Sequence, residues 1–113
     1  MTTTAQDFTM YAGDTNTITV TVTDSAGAVV NITGATITWK LLEEQGGTIA
    51  LTKTVGSGII ITNGAGGIFT IALAATDTAS LLAGAYYHEA ELTDTSSNVS
   101  TILIGTLTLK ESI

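Results

Sequence analysis

The sequence predicts an all-β protein: an immunoglobulin-like Greek-key β-sandwich of seven to eight antiparallel strands, with one short helical turn near residues 77–82. Three observations carry this expectation. Apolar residues alternate with Thr in strand-length runs, the period-two pattern of a half-buried strand. Turn signals rich in Gly, Asn and Asp recur roughly every ten residues. The composition is dominated by residues branched at Cβ, with 24 Thr in 113 residues beside abundant Ile and Val, and such residues favour strands. No stretch with a 3.6-residue period is long enough to serve as the crossover helix that a parallel α/β fold requires.

The elements follow in chain order. Phe8–Tyr11 reads as a short first strand, preceded by residues 1–6 as a flexible arm, so that residues 7–113 form a single domain. Thr15–Thr23 places Ile18, Val20 and Val22 on one face and four Thr on the other, and Asp24-Ser25-Ala26-Gly27 ends it as a turn. Thr36–Glu43 points Ile37, Trp39 and Leu41 inward. Gln45-Gly46-Gly47 turns the chain into Thr48–Val55, a weaker strand with Ile49, Leu51 and Lys53 on one face. Ile59–Thr62 is a short apolar piece. Asn63–Gly67 is a strong turn, because Asn-Gly and Gly-Gly tolerate positive φ. Ile68–Ala74 directs Phe69, Ile71 and Leu73 inward. Asp77 is expected to cap the helical turn, which Gly84 closes. Ala85–Thr93 alternates Tyr86, His88, Ala90 and Leu92 against Tyr87, Glu89, Glu91 and Thr93. Asp94–Asn98 is a polar turn, and Val99–Lys110 closes the chain with Leu103, Leu107 and Leu109 inward.

Charge and composition exclude several functions. Three Lys and no Arg face ten acidic residues, for a net charge of −7; a phosphate backbone is not an expected partner. Without Cys there is no disulfide, thiolate zinc site or cysteine nucleophile. The first residues carry no positive region or apolar stretch, and no run of about 18 apolar residues occurs. The expectation is a protein made in a cytosol, with no membrane partner.

Leu81-Leu82-Ala83-Gly84-Ala85-Tyr86 has the Leu-x-x-Gly-x-Tyr form of a tyrosine corner, in which the Tyr at the start of a late strand bonds back to the chain upstream. Trp39, the lone Trp, sits where the core Trp of an immunoglobulin-like sandwich would. Leu81, Gly84, Tyr86 and Trp39 are therefore read as structural. Tyr11 and Tyr87 are the aromatics expected to remain available for surface contact.

The order of segments resembles the N-terminal domain of phage baseplate upper proteins and the short phage proteins that share this module. The resemblance lies in Ala12-Gly13-Asp14-Thr15, in Val29–Ile37 leading into the Trp39 strand, and in Gly67-Ile68-Phe69-Thr70-Ile71. It continues in Asp77–Leu81 with Gly84-Ala85-Tyr86-Tyr87, and in Leu92-Thr93-Asp94 with Ser100–Leu107. It spans about residues 7–110 and implies a bacteriophage virion structural module of head, neck, tail or baseplate. The implied partners are other virion proteins and copies of the same chain, and the implied location is the virion, after synthesis in the host cytoplasm.

Residues with chemical potential are few. His88, the only His, falls at a core position and reads as a buried, hydrogen-bonded side chain, with no second His or Cys to complete a metal site. Glu89 and Glu91 share an outward face, the arrangement of a solvated strand rather than a glycosidase pair. Glu43 and Glu44 point to opposite faces. Asp94-x-Ser96-x-Asn98 is spaced like the start of a calcium loop but lacks its Gly and distal Glu. Asn63–Gly67 is followed by no Lys-Ser/Thr and no helix, so it is no phosphate loop. Asn31-Ile32-Thr33 matches a glycosylation signal only in form.

The expected function is therefore assembly, without catalysis, cofactor, metal or small-molecule substrate. Thr-rich exposed faces and strands without Pro leave out the usual guards against edge pairing. The alternative is a β-sandwich module that binds carbohydrate or a host surface through Tyr11 or Tyr87.

Overall fold

The computed structural model describes residues 3–111. Among these residues, nine strands and one helical turn follow in order: β1 (Thr4–Ala5), β2 (Phe8–Tyr11), β3 (Asn16–Thr21), β4 (Thr36–Leu42), β5 (Ile49–Val55), β6 (Gly58–Asn63), β7 (Ile68–Leu73), α1 (Ala75–Thr78), β8 (Gly84–Thr93) and β9 (Val99–Lys110). The hydrogen-bonded order is β1-β9-β8-β4-β5-β6-β7-β3, with β2 also on β9. This continuous sheet folds over at β5–β6. One layer is β1/β2-β9-β8-β4-β5, the other β6-β7-β3. Inward residues of both layers form one core cluster: Ile18, Val20, Phe69 and Ile71 from the second, Trp39, Leu41, Ala90, Leu103 and Leu107 from the first. The alternation of Thr with Ile and Val in β3 places Ile18 and Val20 in this core and leaves Thr17, Thr19 and Thr21 exposed.

Most strand pairs are antiparallel, with two departures. At the fold line, Thr54 and Val55 pair in parallel with Gly58 and Ile59. Here the chain passes from one layer to the other through Gly56 and Gly58, both at positive φ. The second departure corrects the expected flexible arm. Thr4 and Ala5 pair in parallel with Leu103 and Ile104, and the Thr3 hydroxyl donates to the Thr101 carbonyl at 2.8 Å. Phe8–Tyr11 continues the same register against Leu107–Lys110. From Thr3 on, the chain thus forms the outer edge of β9. The Thr repeat at the N-terminus supplies no apolar anchor, so sequence alone gave no sign that backbone pairing would hold it. Met1 and Thr2 of the expected arm lie outside the described residues.

The helical turn is earlier than expected. Asp77 is its third residue rather than its cap: the carboxylate reaches back to accept the Ala74 N–H at 2.7 Å. The turn ends by Ala79, and the Leu81 N–H bonds the Thr78 carbonyl at 3.0 Å. Thr78 is fully buried, and its hydroxyl oxygen accepts the Gly13 N–H at 3.0 Å. That bond ties the corner before β8 to the turn after β2.

Candidate functional site

Three places bring chemistry-bearing groups together: the buried surroundings of His88, the outward face of β4 and β8, and the open edge of β3.

His88 faces inward from β8, opposite Leu41 on β4 and Gly105 on β9. Trp39, one inward position along β4, lies diagonally across. Both rings are fully buried. The Trp39 indole N–H donates to His88 Nδ1 at 3.2 Å. An indole nitrogen can only donate, so Nδ1 must be the bare nitrogen and the proton sits on Nε2. Nε2 is 2.7 Å from the Gln6 carbonyl and donates to it. The imidazole is thus neutral, with a defined tautomer and both nitrogens engaged. Burial depresses its pKa below 6.5; the Gln6 carbonyl and the Asp7 charge pull the other way without overcoming it. With no lone pair free, His88 cannot act as base or ligand in this arrangement.

No sequence pattern pairs His88 with the neighbours of this cluster. The Phe8 ring lies 4.9 Å from the imidazole, centroid to centroid. Gly105 leaves the gap through which Gln6 reaches His88, since a Cβ there would overlap both the Gln6 carbonyl and the imidazole. The Gln6 carbonyl turns inward between β1 and β2, and the Asp7 carboxylate takes its place on β9 by accepting the Thr106 N–H at 2.8 Å. A Gly interrupting the apolar alternation of β9 is the one signal that pointed to a close backbone approach.

On the outward face, Thr38 lies opposite Glu91 and Lys40 opposite Glu89. These four residues line a shallow depression of about 120 Å³. The Tyr87 hydroxyl is 3.4 Å from a Glu89 carboxylate oxygen. Burial raises the Tyr87 pKa, and the Glu89 charge and hydrogen bond add to it. The result is a mixed-charge face with Lys40 set against the carboxylates. Tyr11 is half exposed. Because Tyr11 faces Lys110 and Tyr87 faces Thr106, the two stand at different levels of β9 and share no stacking platform.

The remaining sequence candidates make their contacts within the fold. The Tyr86 hydroxyl donates to the Leu82 carbonyl at 2.6 Å, the bond of a tyrosine corner. Leu81 packs against the core beneath it, and Gly84 opens β8 at φ +152°. In the Asp94–Asn98 turn, one Asp94 oxygen accepts the Ser96 and Asn98 N–H groups, each at 2.9 Å, and the other accepts the Asn98 amide. These bonds, the Asn98 N–H first, hold the carboxyl below the ordinary range. Among the described residues, no three His, Asp or Glu side chains gather as a metal site.

The third place is β3, which ends the sheet order and, among the described residues, pairs on one side only, with β7. The Val22 N–H points to that side, donating to Gly67. Alternation then turns Ile18 and Val20 the same way and aims the backbone groups of Thr17, Thr19 and Thr21 outward. The Thr17 N–H is taken by the Asn16 side chain at 2.9 Å.

No protein-family model matches the chain, and no curated protein does. Among solved structures, the chain is similar to CopC from Methylosinus trichosporium OB3b. The two are 13% identical, the match covers 93% of this chain and 86% of that one, and the TM-score is 0.48.

Proposed function

We propose that this chain is a structural assembly subunit of a bacteriophage virion, an immunoglobulin-like body that works through contacts with copies of itself and with other virion proteins. The observation that carries the reading is the edge of β3. Asn16–Thr21 contains no charge and no Pro, whereas soluble sheets ordinarily guard such edges with Lys, Pro or a covering segment. An unguarded edge is suited to accepting another strand. The net charge of −7 keeps free subunits apart until a specific contact offsets the repulsion. The order of sequence segments, similar to that of phage baseplate upper proteins, supports the virion setting.

The test joins sedimentation over a concentration range with co-purification of a tagged chain with intact particles. Self-association or particle incorporation is expected, and Thr19→Lys, which puts a charge on the edge strand at an exposed position, should weaken it without altering the melting temperature. A strict monomer that never enters particles would overturn the reading.

A further inference from the structure

We infer that the N-terminal strand is an acid-released latch: protonation of His88 frees residues Thr3–Phe8 from β9 while the rest of the sandwich stays folded. The inference concerns how the strand is held and does not depend on the assembly reading.

The geometry allows His88 one protonation state. Nδ1 accepts from Trp39 and Nε2 donates to Gln6. A second proton on Nδ1 would aim its N–H at the indole N–H, donor against donor, across 3.2 Å. It would also place a positive charge at a fully buried position. On the other side of the ring little can yield, because β4 is paired along both edges and the Trp39 ring is fully buried. The Gln6 side of the ring is different. It is closed by the outermost strand of the sheet, which reaches the core cluster through buried Met10 and partly buried Phe8. Thr3, Ala5 and Asp7 are exposed. Lifting residues Thr3–Phe8 opens Nε2 to water and lets the ring turn away from Trp39.

The charged groups around the site leave this intact. Asp7 is the carboxylate facing His88 from the N-terminal strand, and it favours the imidazolium. It is itself held by the Thr106 N–H at 2.8 Å. From β5, Lys53 stands opposite Trp39 and is tied to Asp77 at 2.7 Å. The facing residues of β4 and β9, Leu41 and Gly105, are neutral. Burial holds the imidazole neutral at pH values where a free histidine has begun to charge, so release is favoured as pH falls below 6.5.

The experiment is amide hydrogen exchange on the whole chain at about pH 7 and pH 5, corrected for intrinsic rates, with Trp39 fluorescence followed in parallel. Gln6 N–H, bonded to Ile104, and Thr106 N–H, bonded to Asp7, report the latch. Val22 and Ile32 N–H, bonded to Gly67 and Gly64, report the core. Protection at Gln6 and Thr106 should fall about tenfold or more relative to Val22 and Ile32, since each pH unit past the titration point is a factor of ten. Trp39 emission should change over the same range. Asp7→Asn, which keeps an acceptor oxygen but does not titrate, should retain the effect. His88→Gln, which offers an N–H but no titrating proton, should abolish it. Loss of core and latch protection together, unchanged protection at Gln6 down to pH 5, or an effect that vanishes in Asp7→Asn would each overturn the inference.

Discussion

Ser97 adopts φ 66°, the left-handed region that disfavours side chains with a Cβ. Its loop is built like the one at Asp24. In each, an Asp oxygen accepts the N–H groups two and four residues on, and the Asp carbonyl accepts the N–H three residues on. The residue at that third position is Gly27 in one loop, at φ 84°, and Ser97 in the other. Ser97→Gly should therefore stabilise the fold by roughly 0.5–1 kcal/mol, read as a higher midpoint in denaturant at unchanged slope. Gly67 shows the converse constraint. It is buried at φ 71°, and a Cβ there would come within 2.7–2.8 Å of the Val30 and Val22 carbonyl oxygens. The Gly-rich run Asn63–Gly67 was legible as a turn, but this close approach was not, because Val22 and Val30 are distant in sequence.

Among the elements, the corner from α1 to β8 was the most readable. Its Leu-x-x-Gly-x-Tyr form implies a Tyr86 hydroxyl that bonds back to the chain upstream, because a corner of that length leaves the phenol within reach of the chain it follows; the acceptor is the Leu82 carbonyl. Tyr86→Phe should cost about 1–2 kcal/mol through the lost bond and the unpaired Leu82 carbonyl, measured by thermal or denaturant unfolding. The helical turn begins before the point at which Asp77, a residue type favoured as a cap, would start it. As the third residue, Asp77 receives the Ala74 N–H instead, and the run Ala74–Ser80, made only of Thr, Ala, Asp and Ser, offers several equivalent starts. The N-terminal strand was not legible as an element. What holds Thr3–Gln6 is backbone pairing, one buried imidazole and a missing side chain at Gly105, and none of these leaves a periodic trace in the segment itself.

Across the whole molecule, the two layers are joined at one end by a charge pair. Lys53 lies on β5 of the first layer, and Asp77 lies on α1, which follows β7 of the second. Their side chains are mostly buried and 2.7 Å apart. Burial tends to raise the Asp77 pKa, but the Lys53 ammonium and the Ala74 N–H together outweigh it and hold it below 3.8. An unfolded chain takes up that proton near pH 3.8, before the folded one does. The pair's contribution is therefore present above this pH and is lost as the pH falls through the lower folded value. Asp77→Asn should cost about 1 kcal/mol near neutral pH, and the difference from the parent chain should vanish in stronger acid, as followed by denaturant midpoints across pH. The acid response inferred for His88 runs in the same direction but begins below pH 6.5 rather than below 3.8, so the two differ in onset.

The amino-acid sequence by itself determined the all-β class, the inward and outward faces of the principal strands, the core positions of Trp39 and His88, and the corner at Tyr86. Each follows from a period of two or from a contact spanning a few residues. Only the tertiary structure decided that Thr4–Tyr11 lies in parallel along the last strand, that β5 folds over into β6, and that His88 links Trp39 to Gln6. The first and last of these join residues dozens of positions apart, and the backbone groups that close them at Leu103, Ile104 and Gln6 are ones that nearly every residue type carries; the fold-over turns on a close pairing of Thr54 with Gly58 whose direction the local pattern does not fix. Local pattern therefore says which side of a strand is buried, whereas the closing of the sheet selects which carbonyl meets the buried imidazole.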